Sequence, residues 1–134
     1  MQFNVTTDYA VRILICLADS GRQLCGRELS ELMHIPYSYL LTVMARMKEA
    51  GLVVAARGSA GGYMLGRDAE DISLWDIISV MEGSSMVSRC LGENFDCDCI
   101  EVGRCSVRKV YYRLQNTMED ILKGVSLRQL SDEM

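Results

Sequence analysis

The stretch Leu52-Val53-Val54-Ala55-Ala56-Arg57-Gly58-Ser59-Ala60-Gly61-Gly62-Tyr63-Met64-Leu65 decides the fold. Leu52–Arg57 reads as one strand and Tyr63–Leu65 as a second. The glycines of Gly58-Ser59-Ala60-Gly61-Gly62 can take positive φ, which a tight hairpin loop needs. Immediately upstream, Tyr39, Leu40, Val43, Met44 and Met47 share one helical face, and Gly51 ends that helix. Pro36 suits its first position, where a missing N–H costs nothing. Leu29, Leu32 and Met33 mark a shorter helix before it, interrupted at His34-Ile35-Pro36 because the residue before a proline avoids the helical region. Two short helices, a tight turn and a hairpin make a helix-turn-helix with a wing.

Further out, Ala10, Ile13, Leu14 and Leu17 give an N-terminal helix its buried stripe, with Gly21 as the stop. Thr6 or Thr7 is the expected cap, and Asp8 lies in the first turn, where negative charge suits the helix dipole. Ser73-Leu74-Trp75-Asp76 is a variant capping box opening a helix with Trp75, Ile78 and Met81 inward and Gly83 at its end. Residues 84–104 show no period and read as a loop. Val107, Tyr111, Leu114, Met118, Ile121 and Val125 then follow at heptad spacing. That seam fits a dimerisation helix, or a helix packed on its own domain. The expected fold is mainly α with a small β-hairpin. It comprises a winged helix-turn-helix domain (1–83), a cysteine-rich sensing loop (84–104), and a long C-terminal dimerisation helix with a tail (105–134).

Charge supports this division. The 134 residues carry a formal net charge of −4, which by itself argues against a nucleic-acid binder. The total hides two unlike halves. Residues 1–67 hold seven Lys/Arg and five Asp/Glu, whereas residues 68–134 hold seven and thirteen. The slightly basic half is the one with the helix-turn-helix and wing. No apolar run is long enough to span a bilayer, and Ala10–Ala18 lacks the positive start of an export signal, so a cytoplasmic protein is expected. An enzyme is not expected: there is no nucleotide-binding loop, no paired acid and base, and a lone His.

The second helix of such a motif enters the major groove of double-stranded DNA, leading with its N-terminal residues. Tyr37, Ser38, Thr42 and Arg46 lie away from its apolar face, as do Leu41 and Ala45. Hydroxyls can bond to bases or phosphates, and Arg prefers guanine or phosphate. Arg57 at the base of the wing can reach a narrow minor groove, and Ser59 lies at its tip. Each of these also has an ordinary reading as a solvated surface residue.

Cys90, Cys97, Cys99 and Cys105 crowd into 16 residues of a chain with six Cys. In a reducing compartment this points to metal or redox chemistry rather than a disulfide framework. Thiolates select zinc, copper(I) or iron–sulfur clusters. Cys97-Asp98-Cys99 is too tight for a usual zinc pair, and the spacing differs from the ferredoxin run. A reversible thiol switch and a structural zinc site both remain open. Cys16 reads as a buried structural thiol, and Cys25 as another or a surface thiol.

The run Arg57-Gly58-Ser59-Ala60-Gly61-Gly62-Tyr63-Met64-Leu65-Gly66, with Ile35–Leu40 and Ala50–Val53 before it, resembles the Rrf-two family of bacterial winged-helix regulators, the IscR, NsrR and CymR group. The resemblance extends from Thr7-Asp8-Tyr9-Ala10 to the final helix. It implies a homodimeric transcription factor, commonly a repressor, acting on promoter DNA. It also implies an iron–sulfur cluster held by three loop cysteines and responsive to iron status, redox change or nitric oxide. Cys90, Cys99 and Cys105 match those cysteines, and Cys97 competes with Cys99 for the middle place. The His that follows the last cysteine in the IscR branch is missing here, where Ser106-Val107-Arg108-Lys109 stands instead. Asp8 matches the acidic fourth ligand, contributed by the partner subunit, of the NsrR-like branch, and is also explained as a helix N-terminal charge. His34 is a more distant candidate.

Overall fold

The computed structural model describes residues 2–58, 61–95, 97 and 101–133. Six α-helices and one hairpin make up the described chain. They are α1 (Val5–Ser20), α2 (Gly26–Met33), α3 (Tyr37–Glu49), β1 (Val53–Ala56), β2 (Gly62–Leu65), α4 (Leu74–Met81), α5 (Ser106–Lys123) and α6 (Leu127–Asp132). This is the mainly α winged fold expected from the hydrophobic spacing.

The core lies where α1, α3 and α4 meet. Ala10, Ile13 and Leu14 of α1 are completely buried, as are Leu40, Val43 and Met47 of α3 and Ile77 of α4. Tyr39 is not part of this face. It is half exposed and meets the Tyr9 ring edge-on at 6.4 Å. In α4 the inward residues are Ile77, Ile78 and Met81, whereas Trp75 lies at the boundary with the Lys123 ammonium 5.3 Å above its ring. A boundary position lets the indole bury its body while staying partly wet.

Strands β1 and β2 pair antiparallel, with Val53 opposite Leu65 and Ala56 opposite Gly62. Tyr63 also pairs with Leu24, exchanging backbone hydrogen bonds of 3.1 and 2.8 Å, which pins the wing to the α1–α2 connection. Only Gly58 of the loop glycines takes positive φ (108°). Gly62 is needed for a different reason, because a Cβ there would stand 2.8 Å from the Leu24 carbonyl.

Two caps differ from expectation. Neither Thr6 nor Thr7 caps α1, which is preceded by Asn4 with no side-chain cap of its own. Instead the Glu82 carboxylate reaches back to this helix end. It accepts from the Asn4 N–H (2.8 Å), Asn4 Nδ2 (2.8 Å) and the hydroxyl of buried Thr7 (2.6 Å). A carboxylate here satisfies orphan donors and suits the dipole. Cys25 is an N-cap: its sulfur accepts from the Glu28 N–H while the Glu28 carboxylate accepts from the Cys25 N–H. Cys16 is half-buried rather than enclosed, and partial burial, reinforced by Asp19, pushes its thiol pKa up. The Ser73 capping box forms as read, with bonds of 2.8 and 3.1 Å to and from Asp76.

Helix α5 is shorter than the heptad run. It stops at Lys123, and Gly124 leads into a turn from which Ser126 caps α6. Leu127 is completely buried, and α6 packs on α1. The last segment thus returns to pack on the N-terminal helix.

Candidate nucleic-acid interface and cysteine loop

Ser38 and Thr42 are exposed on α3, and the Thr42 hydroxyl donates to the Ser38 carbonyl at 3.2 Å. Leu41 and Ala45 are exposed beside them. Tyr37 opens the helix, with the Arg27 guanidinium stacked 4.7 Å from its ring centroid. Arg27 thus brings a cation to the leading end of α3, contributed by α2. Spacing on α3 alone does not reveal it. Arg57 is exposed at the end of β1, and Ser59 lies outside the described residues. Arg46 sits at the other end of α3 and differs from the rest of the set: its Nη1 donates to the Met81 carbonyl at 3.0 Å.

The cysteine loop is anchored at several places. At its root, the buried side chain of Gln115 on α5 accepts from the Val87 N–H (2.8 Å) and donates to the Ser85 carbonyl (3.1 Å). Ser88 then caps a 3₁₀ turn, Arg89–Leu91, and its hydroxyl lies 3.2 Å from the Cys90 sulfur. The Arg89 guanidinium covers the Phe95 ring at 5.5 Å. At the far end Cys105 is the N-cap of α5, where its sulfur accepts the Arg108 N–H at 3.4 Å. The same Arg108 donates through Nε to the Cys90 carbonyl at 2.9 Å. One residue therefore bonds both cysteine-bearing segments.

Cys97 is half-buried, and Cys99 lies outside the described residues. Among the described residues, no three His, Cys, Asp or Glu form a group able to hold a metal ion. The sulfurs of Cys90 and Cys105 are nevertheless the right donor type for iron, and each has a hydroxyl or N–H beside it of the kind that tunes iron–sulfur sites. Asp8 is exposed in the first turn of α1, next to Thr7, which the Glu82 clamp ties to the root of the loop. His34 is exposed and closes α2 with φ 54°, a capping role.

The family model Rrf2, described as an iron-dependent transcriptional regulator, matches residues 3–133. The chain belongs to the Rrf2 family. The transcriptional regulator IscR of Photobacterium profundum is 33% identical over 77% of this chain, a match spanning 58% of that protein's length. Two solved structures share the fold. CymR of B. subtilis, titled a global cysteine regulator, superposes with TM-score 0.83 at 23% identity, covering 100% of this chain and 98% of that one. The oxidised form of Staphylococcus aureus CymR does so with TM-score 0.75 at 26% identity, covering 98% and 96%. The Rrf2 protein is a transcriptional regulator and not an enzyme.

In this Rrf2 chain the sequence reading passes over Gln115, Glu82 and Arg108 as well as Arg27. Gln115 breaks the polarity expected next to a heptad seam only when its burial is known. The seam itself stays largely outward: Val107, Tyr111, Leu114 and Ile121 are all exposed, Ile121 to 62%. No helix among the described residues is long and apolar enough to cross a membrane.

Proposed function

We propose that this Rrf2 protein is a cytoplasmic, homodimeric repressor that binds promoter DNA and senses redox change, nitric oxide or iron status through a cysteine-ligated iron–sulfur cluster. The observation that carries this reading is Arg108, which bonds the Cys90 carbonyl and the Cys105 sulfur together. Cys90 and Cys105 are the outer ligands, with Cys97, Cys99 or both between them, and Asp8 of the partner subunit is the candidate fourth. When bound, the cluster supplies reactivity toward oxygen, nitric oxide and iron depletion. The chain's own residues do the rest. Arg108 and Gln115 fix the loop on α5, and Glu82 fixes its root on α1. The exposed seam of α5 is apolar surface suited to a second copy of the chain. A dimer would place two α3 helices at half-sites about one helical turn apart. Tyr37, Ser38 and Thr42 would then meet the major groove, with Arg57 and Ser59 on the flanking minor groove.

A second reading has its own support. The oxidised form of S. aureus CymR, 26% identical, favours a cluster-free switch in which Cys97 and Cys99 or Cys105 form a disulfide. Selection of duplexes from a random pool, followed by footprinting, tests the DNA-reading part. The expected product is a two-half-site sequence, with Arg57→Ala weakening binding and leaving the visible spectrum unchanged. No enrichment over non-specific binding would contradict it.

A further inference from the structure

Arg46 is placed where it can report the state of the cysteine loop to α3. It lies nine residues after Tyr37, so about 13 Å along the helix from the leading end that enters DNA. Its Nη1 crosses to α4 and donates to the Met81 carbonyl at 3.0 Å. Met81 is completely buried apart from 1% of its surface, and it is the last residue of α4. The end of a helix leaves its carbonyls without internal partners, so a cation there both satisfies an acceptor and suits the dipole. The adjacent residue, Glu82, is clamped to α1 through Asn4 and Thr7. Three and five residues further on, Ser85 and Val87 are clamped to α5 through Gln115. Cys90 follows, tied to α5 by Arg108. The backbone from Met81 to Cys90 is thus anchored at intervals by hydrogen bonds to α3, α1 and α5, and Arg46 makes the anchor to the last turn of α3.

We propose that Arg46 is a positioning residue that couples the loop to the angle of α3 through the Met81 carbonyl, and not a DNA contact. The inference rests on the reading of the loop as a sensor. A shift of the loop pulls on residues 82–87, moves the Met81 carbonyl, and changes where α3 is held. Coupling of this kind appears as a ratio of DNA affinities between two states. A phosphate contact appears instead as a loss in both states and a shallower salt dependence.

The test uses Arg46→Met on the full chain, with a duplex enriched by the wild-type protein from a random pool. Dissociation constants are measured across a salt series for protein reconstituted anaerobically with iron and sulfide and for the same protein after air exposure. Circular dichroism checks folding, and Arg46→Gln is read in the same way if Arg46→Met does not fold. The expected result is that the affinity ratio between the two states falls to within about twofold of one while the salt slope is unchanged. An unchanged ratio overturns the proposal, whether the salt slope falls by about 0.9 per site or stays as it was. If the wild type itself shows no difference between states, the sensing reading fails and this inference with it, which separates the two failures.

Discussion

Arg108 donates from Nε to the carbonyl of Cys90, 18 residues earlier, at 2.9 Å. Its backbone N–H is at the same time on the sulfur of Cys105. The N-terminal turn of α5 therefore ties the Cys90 and Cys105 ends of the loop to each other.

Replacing Arg108 with alanine removes the side-chain half of that arrangement and leaves the Cys105 cap in place. A hydrogen bond from a charged donor contributes on the order of 1.5 kcal/mol, about a tenfold change in a local opening equilibrium. The Cys90 turn should open more often. Alkylation of reduced protein by iodoacetamide, followed by peptide mass spectrometry, should show Cys90 labelled about tenfold faster in Arg108→Ala. The rate at half-buried Cys16, remote in sequence, should not change.

Gln115→Leu strips two loop backbone groups of their partners. The Val87 N–H and the Ser85 carbonyl both lose the amide that now satisfies them. Leaving buried polar groups unpaired costs about 1–3 kcal/mol. Urea unfolding should show an unfolding free energy lower by about that amount, with hydrogen exchange rising first at residues 85–87.

Glu119 gives the same region a pH dependence. The Gln115 amide bonds to its carboxylate at 2.9 Å, and Lys123 pairs with it at 2.9 Å. These two partners hold its pKa below the ordinary 4.5, the Gln115 bond contributing most. A folded-state value below the unfolded one favours the folded protein at pH above 4.5, and the gain disappears as pH falls through the lowered value. Wild type should therefore exceed Glu119→Gln in stability at neutral pH, and the gap should close on acidification below that point. Because the pair is partly exposed, the gap should also shrink in high salt.

Much of the fold was legible in residue spacing. Ala10, Ile13, Leu14 and Leu17 form the buried stripe of α1 because a 3.6-residue period admits little else. Ser73 and Asp76 cap α4 because the motif acts locally. The misreadings came where a distant partner decides. Thr7 is buried against Glu82, 75 residues away, and so does not cap its own helix. The heptad period passes through Val125, yet Gly124 and the Ser126 cap end α5 first and return Leu127 to the core. At the candidate site, the cysteines and the α3 hydroxyls are visible as residue types. The partners that organise them are not. Arg108 looks like any surface charge until the loop folds over it, and Gln115 like any exposed amide.

In the proposed function, cysteines of the segments that Arg108 bonds hold a cluster whose state sets DNA affinity. Iron and acid-labile sulfide should be assayed on protein purified and reconstituted without oxygen, with visible absorption recorded alongside a titration of the selected duplex. The account predicts a coloured protein containing both elements. It also predicts a dissociation constant that changes by at least about fivefold after nitric oxide or air, and loss of colour in Cys105→Ala. A colourless protein with no iron or sulfide, or a Cys105→Ala variant with full occupancy, would contradict it.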